Sequence, residues 1–297
     1  MGENLYTHQD ENVRKTWILL SSFFIFVMAL GWFFSYLYNS AVILYIAVLF
    51  SVGMNIVSYW YSDKIVLSLH KAKLVTREEY FDLYTVTENL SIAAGLPMPK
   101  LYVVEDASPN AFATGRDKNH AVVCVTTGLL SILERTELEG VVAHELAHIG
   151  NRDILLSTIV VVMVGFVALL SDFFLRGSLF GNRDNNKGGG ALLIVGIVLA
   201  ILTPIAATLI KLAISRKREF LADSSGALLT RYPEGLAKAL QKISGAGIPM
   251  KTAHNATAHM FISNPFASKG KSPSAFQKMF MTHPPVEERI AALIGKQ

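Results

Sequence analysis

Four long apolar runs frame this chain. Residues 17–38 and 41–61 carry no charge, and each has the roughly twenty residues needed to cross a hydrocarbon layer of about 30 Å. Only Asn39 and Ser40 separate them, which predicts a tight transmembrane hairpin. Trp17, Trp32, Tyr36, Tyr38, Tyr59, Trp60 and Tyr61 gather toward the run ends, as interfacial aromatic belts do. A cleaved leader fits poorly, because the first run is too long, lacks a small-x-small site and is followed at once by a second run. Residues 154–175 and 191–214 are again apolar, apart from Asp172 and Lys211, with a Gly/Asn-rich linker at 177–190. They predict a second membrane hairpin; burial inside a soluble domain is the alternative for one or both.

The intervening pattern is that of a globular domain cut in two. Residues 62–153 mix charges with short β-rich pieces at 101–104 and 121–126, broken by Gly95-Leu96-Pro97-Met98-Pro99. Residues 215–297 return to mixed composition and supply the second part. The predicted fold class is therefore a mostly α membrane protein, with four transmembrane helices and an α+β domain outside the bilayer. Composition agrees, since 52% of the 297 residues are hydrophobic and 17% charged, against about a quarter charged in soluble domains.

Charge sets a topology. Arg14 and Lys15 precede the first hairpin and Lys64, Lys71, Lys73 and Arg77 follow it, while its turn has none. The positive-inside rule places residues 1–16 and both globular parts in the cytoplasm. Arg216, Lys217 and Arg218 agree, whereas Arg176, Arg183 and Lys187 in the linker pull the other way. A net charge of +4, without a basic stripe interleaved with aromatics, argues against nucleic acid as a partner. The single cysteine, Cys124, lies in an apolar stretch and reads as a buried structural thiol. A four-thiolate metal site is excluded, so any metal must be held by histidines and carboxylates.

The candidate chemistry lies in His144-Glu145-Leu146-Ala147-His148. Thr136 and Glu139 have capping-box spacing and predict a helix start, Leu138, Val141, Val142, Leu146 and Ile149 an apolar face, and Gly150 the end. On such a helix His144 and His148 lie one turn apart and can share a tetrahedral Zn2+, with Glu145 placed as the general base. The motif is short enough to arise by accident, so a third ligand is needed to support it. Glu219, directly after the fourth run, is the best candidate, because two spans return the chain to the side it left. Asp223, one turn on, could accept the free N–H of a ligand imidazole. A charged cluster after a membrane helix is equally well a solvated interfacial face, and spacing alone leaves both readings open. His8, His70, His120, His254 and His259 read as solvated or structural.

Together with Asn151-Arg152-Asp153, Ser215-Arg216 and Thr282-His283-Pro284-Pro285, these residues resemble the HtpX family of membrane gluzincins, related to the CAAX prenyl endopeptidases. The likeness spans nearly the whole chain. It implies a zincin-like metalloprotease domain facing the cytoplasm from a bacterial inner membrane, cleaving misfolded or damaged membrane proteins. One zinc ion per chain is implied, held by His144, His148 and Glu219, with Glu145 as catalyst. His283 is implied as an oxyanion donor with Arg289 nearby. Asn110, Ala111, Phe112 and Ala113 resemble the family's edge strand, to which an extended substrate backbone can add. The chain has Phe220 where the family often has Tyr.

Three other readings are weaker. An intramembrane protease would place the motif inside a span, whereas Glu134, Arg135, Glu137, Glu139, Arg152 and Asp153 flank it here. A metal transporter would need polar groups within the apolar runs, and a zinc-binding adaptor would have no use for Glu145. A prenyl-peptide endopeptidase, the runner-up, would need a larger membrane chamber than four spans build.

Overall fold

The structure, a computed structural model, describes residues 5–37, 39–180, 216–266 and 284–295. The apolar runs at the N-terminus form two helices, α1 (Leu5–Leu37) and α2 (Ala41–Leu69), turning at Asn39 in the left-handed conformation (φ 48°). Asp10–Tyr36 within α1 and the whole of α2 are long and apolar enough to cross a membrane. Trp17, Trp32, Tyr36, Tyr45 and Leu49 remain exposed on them, a surface suited to lipid rather than water.

The globular part starts with β1 (Lys73–Leu74) and α3 (Phe81–Ala94), which stops at Gly95 in the left-handed conformation at the expected break. Strands β2 (Lys100–Val104), β3 (Ala111–Gly115) and β4 (Ala121–Thr126) follow. The sheet order is β1-β2-β4-β3, with β2 parallel to β4 and β3 antiparallel to it, so β3 is an edge strand. His120 sits in the β3–β4 connection, exposed and paired with Asp117. After a short α4 (Thr127–Ile132), α5 (Arg135–Gly150) carries the His-Glu-x-x-His motif.

Helix α5 is apolar on the expected positions but is not amphipathic. Glu137, Gly140, His144 and Glu145 are buried along with Leu138, Val141, Val142, Leu146 and Ile149, because α3, the sheet, α7 (Arg216–Thr230) and α8 (Pro233–Ala246) surround it. Its start also differs from expectation. Thr136 is exposed and Glu139 reaches Arg135, whereas the Glu137 carboxylate accepts the Glu134 amide at 2.8 Å, a capping box set two residues earlier. The tertiary reason is Lys242 on α8, which holds that buried carboxylate at 2.7 Å.

Asn151 and Arg152, the latter at φ 58°, turn the chain by 83° into α6 (Asp153–Phe180). The apolar run at 154–175 is thus helical. Its first half is buried, with Leu156, Ile159, Val160 and Met163 packed against Leu19, Phe23 and Val27 of α1. The run at 191–214 lies outside the described residues; among those described, two helices are long and apolar enough to cross a membrane, or three if the bent α5–α6 pair is one span, where four spans are expected from sequence. Helix α9 (Val286–Ile294) closes the domain against α7 and α8.

The crossing of α5 and α8 depends on Gly140. A Cβ there would lie 2.6 Å from the Leu236 amide nitrogen and 2.8 Å from its Cα, both backbone atoms that cannot turn away. Gly140→Ala should therefore lower stability by about 1–3 kcal/mol, overpacking outweighing helix propensity. Gly53→Ala, with nothing within 4 Å of the new methyl, should be neutral or slightly stabilising. Thermal unfolding in detergent compares the two; equal midpoints would mean that the α5–α8 crossing has slack.

Candidate active site

Three elements meet at the site. Helix α5 supplies His144, Glu145 and His148, α7 supplies Glu219 and Asp223, and the start of α6 supplies Asp153. Gly226 lets α7 close on α5, since a Cβ there would stand 3.0 Å from the His144 nitrogen. Among the described residues, His144, His148 and Glu219 form the one cluster able to offer three metal donors, all within 4.8 Å of one another.

The hydrogen bonds set the tautomers. His144 Nδ1 donates to Asp223 Oδ1 and His148 Nδ1 to Asp153 Oδ2, each at 2.9 Å. When both rings are neutral each Nε2 is then left with a lone pair, and the two nitrogens face each other at 3.2 Å. Glu219 Oε1 lies 3.6 Å from His148 Nε2 and Oε2 lies 3.9 Å from His144 Nε2. Donors around a tetrahedral zinc stand roughly 3.3 Å apart; the two imidazole nitrogens already have that spacing, and the carboxylate lies wider, within the 4.8 Å that bounds the set.

Charge points the same way. Four buried carboxylates, Glu145, Asp153, Glu219 and Asp223, face two buried guanidiniums, Arg218 and Arg289. Among the described residues carboxylates therefore outnumber guanidiniums in a largely buried site, where excess charge is costly, and a dication suits that excess. Without one, His148 carries the compensation. Burial would lower its pKa, but the Asp153 hydrogen bond and the Glu219 charge outweigh that and push it up to about 9. His144 moves down, chiefly through burial and against the pull of Asp223. Glu145 is pushed up to about 7 by burial, with the Glu219 charge adding to it and His148 and Arg289 opposing. Neither Glu145 oxygen accepts a hydrogen bond of normal geometry, the Ala113 amide contributing only weakly.

A cavity of about 30 Å³ adjoins these groups, lined by Ala113, Glu145, His148, His259 and Met260 among others. It has room for a water or two and far too little for a peptide. His259, read from sequence as solvated or structural, is one of its walls, with Nε2 3.2 Å from the Ser157 carbonyl. His70 is structural, buried between the Thr252 and Thr257 hydroxyls and the Phe112 and Phe261 rings.

Two groups of predicted residues have partners that their sequence positions do not show. On sequence Arg289 stands beside substrate; in the structure its guanidinium is wholly buried and forks onto Asp223, Nε to Oδ2 at 2.8 Å and Nη2 to Oδ1 at 2.7 Å. It holds Asp223 ionised, below the ordinary carboxylate range despite burial, and so acts on His144 from behind. The strand Asn110 to Ala113 is at the sheet edge as expected, but its first half is already occupied. Ala111 O accepts the Ile262 amide, and the Asn110 side chain pairs both ways with the Ser263 backbone. Phe112 turns its backbone to β4 and its ring to Phe261. Ala113 alone of the four lines the cavity. His283 lies outside the described residues. Asp153 was missed as a functional residue, although a carboxylate five residues after a ligand histidine is a usable signal given how such rings are oriented.

A helix-borne His-Glu-x-x-His with a third carboxylate, beside an edge strand, is the arrangement of a metalloprotease. The chain belongs to peptidase family M48, whose model matches residues 78–296. It is 46% identical over 98% of its length to the protease HtpX homolog of Thermoanaerobacter pseudethanolicus, covering 97% of that protein. It is 47% identical over 97% of its length to that of Caldanaerobacter subterraneus subsp. tengcongensis, again covering 97%. The crystal structure of S. mikatae Ste24p shares the fold, with a TM-score of 0.51 at 18% identity, over 97% of this chain and 67% of that one.

The elevated His148 makes metal binding compete with a proton. At pH 7 the metal-free site holds that proton, and zinc must displace it, so zinc affinity should rise with pH up to about pH 9. Calorimetric titration of the metal-free protein at pH 7 in buffers of different ionisation enthalpy should show release of about one proton. Binding heats independent of the buffer would contradict this charge assignment.

Proposed function

We propose that this metalloprotease is a zinc-dependent endopeptidase of a bacterial plasma membrane, acting from the cytoplasmic side on misfolded or damaged membrane proteins. His144, His148 and Glu219 hold the metal, and Glu145 is the acid–base residue. The observation that carries this reading is the pair of Nε2 lone pairs facing each other at 3.2 Å, each fixed by an aspartate on the opposite ring nitrogen. Such an arrangement is repulsive unless a proton or a metal cation lies between them, and the Glu219 carboxylate beside both nitrogens completes a metal donor set.

Bound zinc supplies Lewis acidity, polarising a scissile carbonyl and acidifying a water. The chain's residues do the rest. Glu145, buried and with its pKa raised to about 7, is placed to take a proton from water and return it to a leaving amine. Asp153 and Asp223 keep the ring protons on Nδ1, and Arg289 keeps Asp223 ionised. Ala113, on the open half of the β3 edge, is where an extended substrate backbone joins, after the 259–262 wall moves aside to admit it. His283 serves as the oxyanion donor in this reading. The likeness to Ste24p, being one of fold, does not favour a prenylated substrate.

Glu145→Gln should retain zinc while losing about 10²–10⁴-fold in cleavage of an unfolded membrane protein in detergent; a zinc-loaded variant with wild-type activity would remove Glu145 from the mechanism. Four spans are part of the proposal, with the linker at 181–190 outside the cytoplasm. Single cysteines placed there in a Cys124→Ser background should label from the exterior of intact cells, and labelling only after lysis would contradict that topology.

A further inference from the structure

We propose that Asn12, in the N-terminal helix α1, is a positioning residue for the metal site, holding both the His148 ring and the start of the Glu219 helix. This rests on the zinc site proposed above and extends it to a segment that reads from sequence only as the polar flank of a membrane anchor.

Asn12 is buried, although it precedes the apolar run and its neighbours Glu11 and Lys15 form a partly exposed ion pair. Its side-chain amide touches three elements. Nδ2 donates to Asp153 Oδ1 at 2.7 Å and to the Asn151 carbonyl at 3.0 Å, at the turn between α5 and α6. The other oxygen of that aspartate takes the His148 Nδ1 proton. Asn12 Oδ1 accepts from Arg218 Nη1 at 3.2 Å, and Arg218 directly precedes Glu219. Arg218 Nε also lies 3.8 Å from Asp153 Oδ1.

The residue type follows from those partners. One side must donate to a carboxylate and a carbonyl while the other accepts from a guanidinium, and a primary amide does both. An aspartate of the same shape would set a second carboxylate against Asp153 Oδ1. An alanine would remove one hydrogen-bond partner from that oxygen and one from Arg218. Either change frees Asp153 to turn, and the His148 ring turns with it, since the partner on Nδ1 sets the ring's orientation. The same amide ties α1 to the catalytic domain, so the anchor becomes part of the metal-binding machinery.

The test uses the full chain in detergent, with Asn12→Ala and Asn12→Asp beside wild type. Zinc affinity is measured by chelator competition, ligand geometry by the visible spectrum of the cobalt-substituted protein, and activity as separate kcat and KM. Asn12→Ala should weaken zinc about tenfold, the low end for partners of metal-bound histidines. Asn12→Asp should weaken it further, with shifted cobalt bands and a lower kcat at nearly unchanged KM. A space-filling role predicts the reverse order, Asp close to wild type and Ala worse, and that result would overturn the proposal. So would wild-type zinc affinity and cobalt spectra in both variants. Melts of the metal-free forms identify a variant that has simply unfolded, and Asn12→Ala decides the matter if Asn12→Asp is one. A wild type that does not bind zinc would sink the proposed function as well; normal binding in wild type and variants alike would sink only the role of Asn12.

Discussion

Two imidazole nitrogens aimed at each other in a water-poor interior are the constraint on which this structure turns. Lone pair against lone pair is unfavourable, and in the metal-free state a proton on His148 relieves it. Keeping both rings in that orientation requires a fixed partner on each Nδ1, hence Asp153 and Asp223, and these in turn require Arg218, Asn12 and Arg289. Each added group compensates the one inside it. The result, among the described residues, is a nested set of buried charges in which carboxylates outnumber guanidiniums, an excess suited to a divalent cation.

Such a set can be held only by elements that do not yield. Helix α5 is enclosed on nearly every side, and glycines at 140 and 226 bring α8 and α7 against its backbone. Close packing of this kind transmits small displacements, which is why Gly226, a residue without a side chain, bears on the position of His144. The same enclosure raises Glu145 to about 7 by removing it from water. Stability and catalytic poise therefore share a physical origin in the burial of one helix.

The β3 edge shows the opposite economy. Its inner half is bonded to residues 262 and 263 and its outer half lines the cavity at Ala113. The segment that covers the strand also walls the site through His259 and Met260. An uncovered edge would invite pairing with any extended chain, and the cavity beside it is small enough to hold only a water or two.

What the sequence determined by itself was whatever depends on spacing along one element. Charge-free runs of membrane length, the break at Gly95, the strands at 101–104 and 121–126 and the one-turn separation of His144 and His148 are local properties, and local geometry decides them. Glu219 was within reach because an even number of spans returns the chain to one side, but choosing it over a solvated charge took a family resemblance. Tertiary structure alone decided the partners: Glu137 rather than Glu139 at the start of α5, Arg289 behind Asp223, His259 in the cavity wall, and Asn12 against Asp153 across 141 residues of chain. These side chains look like ordinary surface or flanking residues in sequence. Their roles arise from desolvation, which makes a polar group seek whichever partner the fold brings within 3 Å, and no periodicity records that choice.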